Sequence, residues 1–355
     1  MLLKLILMRF GIVVIAVLCM LSIVEPAGAA TQAQFDQVKK AIRAHDLRAV
    51  QALTRSEPGV LTFRDSVGNF TLLHIACMNA DAKIVSFLLT KQLDPNAIDR
   101  MNMTPAHWAV VARSVETMKA LADGGANLHA GDSVDYLLDD AIGMEDVKMV
   151  EYLLSKGFSP NFYSMHVNLP LVSAAWVGNT EIIKRLLDAG GKINLQGNQS
   201  ESAISTACGR GKPDVVKFLL EHGAEPNGNY PLAAEPMVQV LKMDDIESFK
   251  LLLAHGYDLH KQREVAPLCA LARFSDNPAF GDLMLSHHAD MNVTERRSLA
   301  TPMQLAVRYQ HRKVMKWLMA HGARMDTADP ETDEPVTLAL KMQDIESMQM
   351  LQSRK

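Results

Sequence analysis

Residues 219–223 read L-L-E-H-G, and variants of this helix ending recur at a fixed distance along the chain. The recurring segments end at Gly157, Gly190, Gly223, Gly256 and Gly322, so the steps are 33, 33, 33 and 66 residues. The same register passes through His288, Gly125, Gln92 and Gly59. A period of this length predicts a solenoid, in which each unit buries its apolar face only against its neighbours.

One period contains two short helical patterns. In residues 99–130, Thr104-Pro105 opens the first, because proline fits the first helical turn, where its missing N–H costs nothing. The second ends at Gly125, since glycine readily adopts the left-handed conformation that ends helices. The unit resembles the ankyrin repeat, whose signature is T-P-L-H followed by small apolar residues. The best matches are Thr71–His74, Thr104–His107, Leu169–Val172, Ala266–Cys269 and Thr301–Gln304.

The resemblance implies an all-α ankyrin-repeat solenoid of about ten helix-turn-helix units with capping repeats at both ends. Residues 241–250 and 340–349 are near-copies of each other, three periods apart, which supports duplication. We place the units near residues 31–64, 65–98, 99–130, 131–162, 163–195, 196–228, 229–261, 262–293, 294–327 and 328–355.

The first 29 residues differ from this array. Lys4 and Arg9 precede the uncharged apolar run 10–24, and small residues follow it. This order is typical of a secretory signal peptide, with cleavage after Ala29 or Ala30. We therefore expect a periplasmic or secreted protein of bacterial type. The alternative is an uncleaved inner-membrane anchor formed by residues 10–24, although a span needs roughly 20 apolar residues.

Composition excludes several classes of function. The chain carries a formal net charge of −4, so a basic footprint for nucleic acid is missing. No nucleophile elbow, phosphate-binding glycine loop, H-E-x-x-H or C-x-x-C motif occurs, and we predict no catalytic residue, no metal site and no cofactor. Cys77, Cys208 and Cys269 occupy positions that are buried in ankyrin units, so we expect reduced, buried thiols.

The histidines are better explained by structure than by metal binding. His222, His255, His287 and His321 precede the helix-ending position of four units, where a cation favours the negative end of the helix dipole. Stacked helices lie about 8–10 Å apart, which is too far for these side chains to share one ion. His74 and His107 are the histidines of T-P-L-H, which the resemblance implies bond within their turn and to a neighbouring unit.

In ankyrin arrays the partner usually contacts a concave face, formed by turn tips and by the two residues after the small apolar pair of the first helix. Here those positions are rich in aromatic residues and arginine, the types that dominate interface energetics. The predicted partner-binding residues are Met78, Trp176, Arg210, Lys242, Met243, Arg273, Phe274, Arg308 and Tyr309, with Arg296 and Arg297 at a turn tip.

These observations predict a monomeric, non-catalytic module that binds a partner protein, with the arginines oriented toward an acidic surface. No nucleic acid is expected, and a membrane only if the signal segment is uncleaved. One alternative is a periplasmic immunity or inhibitor protein that neutralises an enzyme or toxin through the same face. A more remote alternative is a metal-binding or enzymatic protein. Spacing alone leaves open whether the helix ends or the turn tips carry binding.

Overall fold

The computed structural model describes residues 30–129, 134–162, 168–197, 201–228, 230–261, 265–296, 298–325 and 333–352. Within these ranges all regular structure is helical, and twenty α-helices follow one another as ten consecutive pairs. The predicted all-α architecture of about ten helix pairs is thereby confirmed. The chain divides into two compact units, residues 1–130 and 131–355. The predicted signal segment lies outside the described residues, and so does Arg297.

The first unit contains three helix pairs. Their bounds are α1 Ala30–Arg43 and α2 Leu47–Ser56, α3 Leu72–Met78 and α4 Ala82–Leu89, and α5 Pro105–Val111 and α6 Val115–Asp123. A short 3-10 helix, Pro58–Leu61, follows α2. The first helices of successive pairs pack on one another, and so do the second helices. Trp108 on α5 is fully buried and meets the edge of the Phe70 ring with the centroids 5.6 Å apart.

The second unit contains seven pairs. Their bounds are α7 Val134–Gly143 and α8 Val147–Ser155, α9 Pro170–Val177 and α10 Thr180–Asp188, α11 Ala203–Gly209 and α12 Pro213–Glu221, α13 Pro236–Met243 and α14 Ile246–Ala254, α15 Pro267–Phe274 and α16 Pro278–Ser286, α17 Pro302–Arg308 and α18 Arg312–Ala320, and α19 Pro335–Lys341 and α20 Ile345–Gln352. The 3-10 turn Leu232–Ala234 precedes α13. The stacking repeats the pattern of the first unit.

Local sequence sets each boundary. At Thr301 the side chain caps α17 by accepting the backbone N–H of Gln304, and Pro302 fills the first helical position. At the other end of the repeat, Gly223 has φ +90°, the left-handed conformation that ends the second helix. Gln92 and His288 adopt positive φ at the same register position without being glycine, with φ of 62° and 63°.

Gly59 is a correction to the periodic series. The register places a helix end there, but α2 ends at Ser56 and Gly59 lies inside the 3-10 helix without a positive φ. Pro58 explains the difference, because a residue before proline is disfavoured in the helical region and proline supplies no N–H. Glu57 accordingly takes φ −131° and ψ 75°.

Conserved geometry, rather than helix packing alone, joins successive units at the asparagine that follows the helix end. The Asn194 side chain accepts the backbone N–H of Glu225 at 2.9 Å and donates to the carbonyl of Gly223 at 3.2 Å. Asn161 makes the same two contacts one repeat earlier, to Lys192 and Gly190. Each such side chain therefore ties its loop to the next helix pair.

Histidine and glutamine serve the same structural purpose in the T-P-L-H segment. The Thr71 N–H donates to His74 Nδ1 at 3.1 Å, so the proton lies on Nε2, which donates to the Met103 carbonyl at 3.2 Å. Gln304 accepts from Thr301 and donates to the Asp333 carbonyl, both at 2.8 Å. Burial lowers the pKa of His74 to about 4, which keeps the ring neutral.

Candidate protein-binding face

Five first helices of the second unit bring most of the predicted residues to their carboxyl ends. We call this set the cation–aromatic face, and it consists of Trp176, Arg210, Lys242, Met243, Arg273, Phe274, Arg308 and Tyr309. They lie at or just beyond the ends of α9, α11, α13, α15 and α17. The small residues before them are buried in the stack, so the register forces these larger side chains outward.

Trp176 and Arg210 form the first contact of this face. Trp176 is half-buried on α9, and the Arg210 guanidinium, on the residue after α11, lies 3.9 Å from the centre of its ring. A planar guanidinium at this distance stacks on the indole, where the ring's negative face attracts the cation. The tryptophan is therefore a platform shared between two helix pairs and is neither wholly core nor wholly free.

Met243 extends the face onto the next pair. Its side chain is 47% exposed, which is unusual for a large apolar residue in the middle of a stack. Gly211, directly after Arg210, has φ +58°, and a Cβ there would lie 3.7 Å from the Met243 Cε. The methionine thus lies beside the backbone that carries Arg210, and it leaves a flexible apolar surface facing water.

A second group of rings and cations continues from α13 to α17. The Lys242 Nζ lies 5.2 Å from the centre of the Phe274 ring. The Arg273 guanidinium lies 5.9 Å from that ring and 5.8 Å from the Tyr309 ring. Arg273 therefore lies between two aromatic side chains on neighbouring pairs, and each contact gains energy from the ring quadrupole.

Glu295 fixes Arg273 in this position. Its Oε1 lies 2.7 Å from the Arg273 Nη2, and its side chain is only 6% exposed. The Ser298 hydroxyl donates to the other carboxylate oxygen. Sequence reasoning missed Glu295. Its register could have revealed it, because Asp65 and Asp99 are buried acids at the equivalent turn positions of earlier units.

Arg308 and Tyr309 end the face on its C-terminal side. Both side chains are exposed, and the Tyr309 ring stacks near His311 with the centroids 6.4 Å apart. His311 is held in turn by the Ala272 carbonyl, 3.0 Å from its Nδ1. Arg308 has no acidic partner within the described residues. It is therefore a solvated cation beside an exposed phenol ring.

Three predicted residues are outside the set named above. Met78 is half-buried at the end of α3 and belongs to the first unit. Arg296 is exposed on a turn and lines a crevice of about 490 Å³ together with Lys261 and Asp290. Arg297, the other predicted turn-tip arginine, falls outside the described residues. Arg296 thus lies on a turn with charged neighbours.

The histidines at the helix ends bond to their own helices. Nδ1 of His222, His255 and His321 lies 2.7–2.9 Å from the carbonyl four residues earlier. Each carbonyl also accepts the backbone N–H of the same histidine, so the ring adds a second hydrogen bond at the helix end. The described residues contain no group of three or more histidines, cysteines or acids placed to hold a metal. Among the described helices, none is long and apolar enough to span a membrane.

The three cysteines among the described residues, Cys77, Cys208 and Cys269, are free and buried, as predicted. Burial raises the pKa of Cys269 to about 12, and it also raises the pKa values of Cys77 and Cys208. A thiol reacts as its thiolate, so all three are chemically quiet at neutral pH.

A family model described as ankyrin repeats matches the chain in three copies, over residues 38–132, 171–263 and 236–329. The matched segments cover more than half of the chain. The chain belongs to the ankyrin-repeat family. Ankyrin repeats are protein-interaction modules, and the fold is typically a scaffold without catalytic activity.

Similar proteins are diverse. The human transient receptor potential cation channel subfamily A member 1 is 24% identical over 243 residues, which are 67% of this chain and 20% of the channel. The ankyrin repeat domain of Bcl-3, of the IkappaB family, has a TM-score of 0.53 and 24% identity, over 64% of this chain and 100% of that one. The chain is also similar to one chain in the structure of a predatory endopeptidase from Bdellovibrio bacteriovorus in complex with an immunity protein. The TM-score is 0.47 and the identity 25%, over 52% of this chain and 97% of that one.

The first curated relatives are much longer than the region that matches. This chain spans between 11% and 26% of the length of three of them. The likeness to Bcl-3 supports the fold.

Proposed function

We propose that the chain is a non-catalytic binding protein whose cation–aromatic face holds a partner protein. The observation that carries the proposal is the two groups of ring–cation contacts, one between Trp176 and Arg210 and the other from Lys242 to Tyr309. A merely solvated face would carry flexible lysine, glutamate and glutamine. Rings held in place by neighbouring cations instead present rigid, half-buried surface, so little side-chain entropy is lost when a partner covers them.

The charges favour a partner with an acidic surface. Arg210, Lys242 and Arg308 contribute positive charge along a chain that is acidic overall, with a formal net charge of −4. Exposed cations of this kind raise the rate of encounter and orient the partner, whereas the rings and Met243 supply the apolar contact area. Their contribution weakens with added salt.

The proposal is tested by capturing partners with the parent chain and with three single-site variants. Trp176→Ala and Arg308→Ala each remove part of the face, and Lys184→Ala is the control, since Lys184 is exposed on the second helix α10. A partner bound by the face is retained by the parent and by Lys184→Ala. Truncating Trp176 weakens its affinity by about 2 kcal/mol or more, the typical cost at a central aromatic anchor.

Two outcomes contradict this assignment. If Trp176→Ala unfolds at a much lower temperature than the parent, the tryptophan is a core residue. If both face variants retain the partner as well as Lys184→Ala does, binding lies elsewhere, and the turn around Arg296 becomes the next surface to test. A captured enzyme or toxin whose activity is blocked by the chain would assign the immunity or inhibitor role to the same face.

We further propose that the protein works outside the cytoplasm, in the periplasm or after secretion. The support is the sequence order of Lys4 and Arg9, the apolar run 10–24 and the small residues before Thr31. The mature N-terminus is then Ala30 or Thr31, and osmotic shock releases the protein. N-terminal sequencing that finds Met1 on membrane-bound material would support the anchored alternative instead.

A further inference from the structure

The cations at the carboxyl ends of the first helices fall into two classes. Arg273 is paired with the buried Glu295 at 2.7 Å, and the Lys341 Nζ lies 2.7 and 2.9 Å from the two carboxylate oxygens of Asp333. The other class lacks an acidic partner within the described residues. Its members are Arg210, Lys242 and Arg308.

Two acids close to the face have other partners and form no ion pair with this second class. Asp244 follows Met243, but one of its carboxylate oxygens accepts the Asn277 side-chain amide at 2.9 Å. Glu295 is buried and paired with Arg273. Three cations without an acidic partner among the described residues therefore lie on the face, one on each of three helix pairs. Arg210 stacks on the Trp176 ring, and the other two directly precede Met243 and Tyr309 in the sequence.

The spacing of these charges fits an extended chain. Packed helices lie about 8–10 Å apart, and an extended peptide rises about 3.3 Å per residue, so one helix pair corresponds to about three residues. Arg210 and Lys242 belong to successive pairs, and Arg308 lies two pairs beyond Lys242. Phe274 lies on the pair between them, with its ring beside Lys242 and Arg273.

We propose that the face binds an extended acidic segment of a partner protein, in which every third residue contacts the face. The matching order is acidic, two spacers, acidic, two spacers, apolar, two spacers, acidic. The two outer acids meet Arg210 and Arg308, the second meets Lys242, and the apolar residue contacts Phe274 and Tyr309. This assignment rests on the proposed function, and it adds the chemistry and the spacing of the bound segment.

The test measures binding of labelled synthetic peptides to the full chain by fluorescence anisotropy. Three peptides share one composition and keep the order acidic, acidic, apolar, acidic, with these four residues spaced two, three or four positions apart. The peptide with third-residue spacing binds at least about fivefold more tightly than the others, the effect of roughly 1 kcal/mol. Arg308→Ala and Lys242→Ala weaken it by a similar factor. Lys341→Ala, at the same register position but already paired, leaves it unchanged.

A charge exchange separates a specific contact from general attraction. Arg308→Glu abolishes the preference for the third-residue peptide, and a peptide with lysine in place of its final acid restores binding to this variant. The melting curve of each variant confirms that it folds like the parent. Equal affinity for the three spacings, no binding of any of them, or a loss in Lys341→Ala equal to that in Arg308→Ala would overturn the inference.

The inference can fail while the proposed function stands. If a captured partner is lost from Trp176→Ala but is not displaced by the third-residue peptide, the face binds proteins through different chemistry. If neither Trp176→Ala nor Arg308→Ala alters capture, the proposed function itself fails.

Discussion

At the scale of single residues, one ring contact shows what register can and cannot predict. The period correctly places Trp176 and Arg210 at equivalent helix ends, because residues that follow buried small side chains must leave the stack. It does not predict that Arg210 lies over the Trp176 ring at 3.9 Å, since that depends on side-chain rotamers on two different repeats. The register could have indicated Glu295 as a buried acid, but its ion pair with Arg273 depends on rotamers in the same way.

His74 and Gln304 occupy equivalent positions in two different repeats, and comparing them leads to a prediction about pH. Burial lowers the pKa of His74 from 6.5 to about 4, so the unfolded chain binds its proton more readily than the folded one between these values. Keeping His74 neutral therefore costs no stability above pH 6.5. As the pH falls toward 4, it lowers the free energy of unfolding by up to about 3 kcal/mol. Gln304 shows that glutamine can make both hydrogen bonds without titrating.

We therefore expect the free energy of unfolding to fall less in His74→Gln than in the parent between about pH 7 and about pH 4.5, as measured by urea denaturation. The reciprocal change, Gln304→His, should increase that loss. If His74→Gln has the same pH dependence as the parent, His74 is not a titrating determinant of stability.

At the scale of the structural element, most helix ends are set by local features that can be recognised in the sequence. A capping threonine or serine, a proline, or both begin most of the first helices, a left-handed residue follows most of the second helices, and asparagine ties several loops to the next pair. Most helix boundaries could be predicted for this reason. Gly59 could not, because Pro58 ends α2 early although the register continues through it.

The asparagine contacts predict a local stability effect. Asn194→Ala removes one accepted and one donated hydrogen bond between successive repeats, and we expect it to lower the free energy of unfolding by about 1 kcal/mol. Asn194→Asp keeps the acceptor but loses the donor, so its loss should be smaller. Chemical denaturation of the three proteins measures this order, and an unchanged midpoint for Asn194→Ala would show that the side chain is dispensable.

At the scale of the whole molecule, stability is a sum over neighbouring repeats. Removing residues 196–228 deletes one full period and rejoins matching positions, so the chain should remain helical and unfold cooperatively. Removing residues 196–211 deletes α11 but keeps α12, which leaves a second helix without its partner. We expect this shorter deletion to aggregate. Equal thermal unfolding of the two proteins by circular dichroism would contradict the register.

The whole chain also shows how far sequence reasoning reaches toward function. Periodicity predicted the fold, and composition at two register positions predicted eight residues that the second unit brings to one face. Of the other predicted residues, Met78 belongs to the first unit and Arg296 lies on a turn. The repeat pattern reports how the units stack and not what they bind, so the chemistry of the partner had to be inferred from the charged and aromatic side chains.

The most direct test of the central claim is site-specific photo-crosslinking in the cells that make the protein. A photoreactive amino acid replaces Tyr309 on the face, Lys184 on α10 or Arg296 on the turn, in three separate proteins. The account predicts a discrete crosslinked partner from position 309, absent from position 184, and lost when Trp176→Ala is added. Equal crosslinking at 309 and 184, or a partner captured only at 296, would contradict it.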